Sequence, residues 1–181
     1  MSSRPLLILI LSLVAGAARA EVVDAQAGGF TVRETATIAA PQAKVWAALI
    51  KPAGWWSPVH TFSHDAKNLV LEPRAGGAWM ESLPNGGSAR HMVVIYFDPP
   101  STLRLEGALG PMQAMGAMGH LTFTLKPATL KPGGEATEVV MVYDLGGHAA
   151  GGMTGLAPVV DRVMGEQLAG LKSAVEAGGT P

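Results

Sequence analysis

Between residues 68 and 145 the chain holds six strand-length segments, and four of the connections between them are tight turns. The segments are residues 68–72, 78–83, 88–97, 103–108, 120–126 and 137–145. Each is bounded by turn formers and carries alternating polarity or β-branched and aromatic residues. Pro73-Arg74-Ala75-Gly76-Gly77, Pro84-Asn85-Gly86-Gly87, Asp98-Pro99-Pro100 and Lys131-Pro132-Gly133-Gly134 supply the turn chemistry. Connections this short cannot carry a parallel crossover, so the sheet is expected to be mainly antiparallel.

Ahead of this run, residues 30–38 form a further strand candidate. Val32, Ala36 and Ile38 lie on one face with Glu34 among them, and Thr31, Arg33, Thr35 and Thr37 lie on the other. Pro41 can begin a helix whose apolar stripe is Val45, Trp46, Leu49 and Ile50, and Lys51-Pro52-Ala53-Gly54 ends it. Trp55-Trp56-Ser57-Pro58 follows as a short aromatic segment. After the last strand, residues 157–177 predict a long helix with Val160, Val163, Met164, Leu168, Leu171 and Val175 on one face. This order predicts a single α+β domain over residues 30–177, with a polar lead at 21–29 and a short tail at 178–181.

Residues 1–20 read as an address. Arg4 precedes an apolar run from Leu6 to Ala15, and Ala18-Arg19-Ala20 has the small-x-small form of a signal-peptide cleavage site. The run is shorter than the roughly 20 apolar residues that span a bilayer. Cleavage would start the mature chain near Glu21, leaving 11 basic against 14 acidic residues. The expectation is an exported, periplasmic protein without stable membrane insertion.

Composition excludes several function classes. The chain has no cysteine, which removes disulfides, thiolate metal sites and a cysteine nucleophile. A formal net charge of −1 offers no basic surface for nucleic acid. No P-loop, dinucleotide fingerprint or Gly-x-Ser-x-Gly elbow occurs, so no cofactor is indicated.

Ile38-Ala39-Ala40-Pro41-Gln42-Ala43-Lys44-Val45-Trp46 at the first strand–helix junction resembles the START/Bet v-type helix-grip superfamily (SRPBCC). Gly54-Trp55-Trp56, Gly76-Gly77-Ala78-Trp79 and Phe97-Asp98-Pro99-Pro100-Ser101-Thr102-Leu103 resemble its branch named for activators of the heat-shock ATPase, and more loosely the polyketide cyclase-like domains. The resemblance implies a curved seven-stranded antiparallel sheet gripping the C-terminal helix, two short helices, and a cavity for an apolar or amphipathic molecule. The chain departs from the family pattern in lacking a tryptophan near the start of the final helix, where Gly146-Gly147-His148-Ala149-Ala150-Gly151-Gly152 stands.

On this view the expected cavity wall is Trp46, Trp56, Trp79, Met92, Tyr96, Met115, Met118, Met164 and Leu168. If Pro84 to Gly87 close a four-residue hairpin loop, Leu83 pairs with Ser88, Glu81 with Arg90 and Trp79 with Met92. Glu81 and Arg90 then become candidate polar contacts on an apolar wall. The leading expectation is a non-covalent binding module rather than an enzyme. Two alternatives stand beside it. A cyclase- or dehydratase-type enzyme would use Glu81, Arg90 or Tyr96 for acid–base work. A copper binder would use Met112, Met115, Met118 and His120, since thioethers and imidazole are soft ligands. His60 and His64 are four apart, but Pro58 nearby favours a loop and no aligned carboxylate completes a zinc site. Oligomeric state has no sequence signal.

Overall fold

The computed structural model describes residues 19–130 and 132–178. Residues 1–18 of the expected signal segment lie outside the described residues. Eight antiparallel strands form one sheet in the order β1-β2-β8-β7-β6-β5-β4-β3. They are β1 (Arg19–Gln26), β2 (Gly29–Ile38), β3 (Leu69–Leu71), β4 (Ala78–Ser82), β5 (Ser88–Asp98), β6 (Thr102–Gly107), β7 (Gly116–Thr129) and β8 (Glu135–His148). Helix α1 (Gln42–Leu49) follows β2, and helix α2 (Ala157–Glu176) closes the chain. This is the helix-grip arrangement.

The strands expected from sequence correspond to β2 through β8. The eighth comes from the segment read as a polar lead. Glu21 to Gln26 pair with β2, and a two-residue turn at Ala27-Gly28 joins the two strands. Val22 and Val23 are the largest apolar side chains β1 shows to solvent, as edge strands commonly do when one face is solvated. The apolar contribution of β1 is small, which is why its sequence reads as loop.

The sheet wraps α2 because every strand alternates. Val32, Ala36 and Ile38 of β2, Leu121, Phe123 and Leu125 of β7, and Val139, Met141, Tyr143 and Leu145 of β8 are all buried on the concave face. Helix α2 answers with Ala157, Val160, Met164, Leu168, Leu171 and Val175. Full burial of such a side chain is worth about 1.5–3 kcal/mol, so this seam dominates the stability of the fold. Gly170 lets α2 come close to the Trp55 segment, since a Cβ there would lie 2.5 Å from the Trp55 carbonyl oxygen. In the same region the Ser57 N–H donates to Gln167 Oε1 at 2.8 Å, tying the loop to the helix. Helix α1 is held by Gln42, whose amide donates to the carbonyls of Leu125 (3.0 Å) and Pro100 (3.3 Å).

Two carboxyl groups meet under α2. Glu34 is buried on the concave face of β2, and neither of its oxygens has a fixed donor. Asp161 of α2 lies close to it, and its Oδ1 is likewise buried without a hydrogen-bond partner. Burial, with the Asp161 charge and hydrogen bond adding to it, pushes the Glu34 carboxyl up to about 8. Among the described residues no helix is long and apolar enough to cross a membrane.

Candidate functional site

A cavity of about 380 Å³ opens between the first half of α2, the Trp56–Phe62 segment and the 3₁₀ segment Gly110–Ala114. Its walls are apolar: Trp56, Val59 and Phe62 on one side, Leu109, Met112 and Met115 on another, and Leu156, Val159, Val163 and Met164 from the helix side. Val59 is 70% exposed, Val159 47% and Phe62 43%, so the rim presents apolar surface to solvent. Such a rim marks a mouth rather than a sealed void. The buried Tyr143 hydroxyl accepts the Leu109 N–H at 3.1 Å and so fixes the entrance to the Gly110–Ala114 segment. Burial pushes that hydroxyl well above the ordinary tyrosine range.

The polar groups at this cavity arise from a strand irregularity. The hairpin β4–β5 is one residue out of the expected register at its tip: Ser82 pairs with Ser88, Glu81 with Ala89 and Met80 with Arg90. Asn85 and Gly86, both at positive φ, build a longer loop than the four-residue one assumed from sequence. A bulge at His91 then restores the expected pairing of Trp79 with Met92. The pairing of Glu81 with Arg90 is therefore corrected. The two offsets turn Arg90 out to solvent and bring His91 inward beside Glu81. Gly107 faces the bulge at φ +153, and a Cβ there would meet the His91 carbonyl oxygen at 2.5 Å.

Glu81 and His91 form a buried pair, with His91 Nε2 2.8 Å from Glu81 Oε2. The Glu81 carboxylate also accepts the backbone N–H groups of Phe62 (3.2 Å) and Ser63 (2.5 Å). Burial alone would push this carboxyl up. Hydrogen bonds from Ser63, His91 and Phe62 outweigh it and hold Glu81 below the ordinary carboxylate value. Gln113 donates its amide to His91 Nδ1 at 3.1 Å and to the Arg90 carbonyl at 3.4 Å. These partners assign the tautomer: Nε2 carries the hydrogen toward Glu81, and Nδ1 accepts. Phe62 stacks on the imidazole at 5.6 Å and 12°. At the rim, His60 Nε2 lies 2.8 Å from Glu166 Oε2 of α2.

Of the wall expected from sequence, Trp56, Met115 and Met164 line the cavity. Trp46, Trp79, Met92 and Leu168 are buried in the core, where Trp79 packs edge-on against Trp56 at 4.9 Å. Tyr96 is 47% exposed, because a second bulge at Ile95 reverses the strand's alternation. It carries Arg104 over its ring at 5.6 Å. Glu81, Arg90 and Tyr96 are thus not gathered at one cavity. The methionines of the copper alternative divide as well. Met112 and Met115 face the main cavity, Met118 lines a separate surface depression with Arg90 and Gln113, and His120 is exposed on β7. Among the described residues no group of three or more His, Cys, Asp or Glu is placed to hold a metal ion.

His91, Phe62, Val59 and Val160 were not singled out in the sequence as site residues. The single detectable signal was a histidine inside an otherwise apolar strand, and its face depends on a bulge that strand parity does not reveal.

No curated protein matches the chain. Among solved structures it is similar to a protein from Arthrobacter aurescens, at 19% identity over 88% of this chain and 95% of that one, with a TM-score of 0.53. A Nitrosomonas europaea protein is similar at 14% identity, 82% and 95% coverage and a TM-score of 0.54. The di-domain ARO/CYC protein BexL of the BE-7585A biosynthetic pathway is similar at 14% identity, 86% and 52% coverage and a TM-score of 0.55. At these identities the likeness is one of fold. The family model described as polyketide cyclase/dehydrase and lipid transport matches residues 29–176, from the first residue of β2 to the last of α2, and the chain belongs to that family.

Proposed function

We propose that this protein is exported and binds a small apolar or amphipathic molecule, without covalent chemistry, in the cavity beneath α2. The observation that carries this reading is the cavity itself: about 380 Å³, walled by apolar side chains and opening through an apolar rim. Adaptable thioethers of Met112, Met115 and Met164 suit a ligand body of variable shape. Support for export is the amino-terminal pattern of residues 1–20.

The test is a fluorescence titration with N-phenyl-1-naphthylamine. Val163→Trp places an indole in the cavity. Saturable enhancement with the wild-type chain and its loss in this variant, at unchanged thermal midpoint, are the expected results. No enhancement with wild type, or full retention in the variant, overturns the reading. Export is tested separately by sequencing the amino terminus of the protein recovered from its native host, where Glu21 is the expected first residue.

The Glu81–His91 pair favours a second reading, an enzyme of the cyclase or dehydratase type in which His91 replaces Arg90 and Tyr96 as acid–base partner of Glu81. It requires that Glu81→Gln abolish turnover of a cavity substrate while the fold is retained.

A further inference from the structure

Glu34 is 1% exposed on the concave face of β2, yet among the described residues neither of its carboxyl oxygens has a hydrogen-bond partner. Asp161 of α2 lies close by, with its Oδ1 also buried and unpartnered. Acceptors buried together without a donor cost stability. Neither residue lines the cavity, so a cavity ligand does not supply what is missing. What the two carboxyl groups lack is a cation carrying several N–H groups. The register of the edge strand points to a source. Ala20 of β1 stands opposite Glu34, and Glu21 stands opposite Arg33. Ala20–Glu21 is also the bond at which the amino-terminal export pattern ends.

We propose that cleavage after Ala20 makes this cation: the α-ammonium of Glu21 turns under α2 and pairs with the Glu34 carboxylate beside Asp161. The proposal rests on the export reading above and deepens it. Hydrolysis of the Ala20–Glu21 peptide bond takes up one water. It leaves the released segment with a carboxylate on Ala20 and the mature chain with an α-amine on Glu21 that is protonated at neutral pH. Neighbouring strands lie about 4.8 Å apart, so the nitrogen that follows Ala20 is within a side chain's length of Glu34. Loss of Ala20 vacates the place opposite Glu34. Glu21 and Arg33 are both exposed, so their side chains keep to the outer face and the main-chain nitrogen alone turns inward. An ammonium carries three donors, enough to serve both carboxyl groups. In the chain that still carries residues 19 and 20, burial holds Glu34 protonated up to about pH 8. In the processed chain the positive charge beside it favours the ionised form. Helix α2 packs on both β1 and β2, so the new contact ties the helix that roofs the cavity to the first residue of the mature protein.

The test follows the Glu21 α-amino group in the processed protein recovered from its native host. The pH dependence of its acylation by acetic anhydride, read by mass spectrometry of the amino-terminal peptide, gives its pKa. The ordinary value is about 7.7–8.0, and the pairing is expected to raise it by about one pH unit. Glu34→Gln is expected to return it to the ordinary range and Asp161→Asn to lower it by a smaller amount, with thermal midpoints showing that the variants fold. Should Glu34→Gln fail to fold, Asp161→Asn carries the test alone. A wild-type value in the ordinary range, or a raised value that no folded variant changes, overturns the proposal. A first residue other than Glu21 overturns the cleavage position and this proposal with it, while leaving the cavity reading intact. Failure of the cavity titration overturns that reading and leaves this one standing.

Discussion

Replacing Glu34 by glutamine should change the pH dependence of stability more than any other single substitution. The carboxyl is buried, lacks a fixed donor and faces Asp161, so the folded protein holds it protonated up to about pH 8. In the unfolded chain it ionises near its ordinary value of 4.5. A group whose folded pKa is raised contributes stability in full below the unfolded value and loses it as pH rises through the folded value. At about 1.4 kcal/mol for each unit of separation, the wild type is expected to lose roughly 2–4 kcal/mol between pH 4 and 7 and to approach 5 kcal/mol above pH 9. Against a total of about 5–15 kcal/mol for a domain, this is a large fraction. Glu34→Gln keeps the shape, supplies a fixed N–H to Asp161 and does not ionise. Urea unfolding followed by circular dichroism at pH 4, 7 and 9 measures the difference. The variant should match the wild type at pH 4 within about 1 kcal/mol and exceed it increasingly at pH 7 and 9. A difference that stays constant across the three pH values would refute a protonated Glu34.

Further expectations follow from the site. Glu81→Ala leaves the N–H groups of Phe62 and Ser63 and the His91 Nε2 unpaired, and should cost about 3–5 kcal/mol by urea unfolding. Because the Glu81 carboxyl is held below its ordinary value, its stabilisation is present above that value and fades as pH falls through the lowered one, opposite in sign to Glu34. The wild type should therefore be most stable on the acid side of neutral, where Glu81 is ionised and Glu34 is protonated. Gly107→Ala drives a Cβ onto the His91 carbonyl at positive φ and should lower stability by more than about 2 kcal/mol, read as a fall in the thermal midpoint.

Much of the architecture is legible in the chain because it is written in periodicities. The alternation of Val32, Ala36 and Ile38, the stripe from Val160 to Val175, and turns such as Asp98-Pro99-Pro100 each have one physical reading. The site is far less legible, for a reason visible in β5. Strand parity is a running count, and one extra residue reverses every assignment beyond it. The bulge at His91 exchanges Arg90 for His91 as the partner of Glu81, and the bulge at Ile95 sends Tyr96 outward. Bulges depend on how strands twist around α2 and on contacts such as Gly107 against His91, which join residues distant in sequence. The methionine segment illustrates a second limit. Its spacing of three holds Met112, Met115 and Met118 together in sequence, yet the change from 3₁₀ segment to strand at Gly116 places Met118 at a different depression.

The cavity is tested most directly by the methionine methyl resonances of the 13C-labelled protein during titration with 2-methoxynaphthalene, an uncharged aromatic probe. Met112, Met115 and Met164 line the cavity, Met92 and Met141 are buried in the core, and Met118 is 60% exposed elsewhere. Saturable shifts at Met112, Met115 and Met164, with Met118 unmoved, are the expected result; no shifts, or shifts confined to Met118, would contradict binding beneath the C-terminal helix.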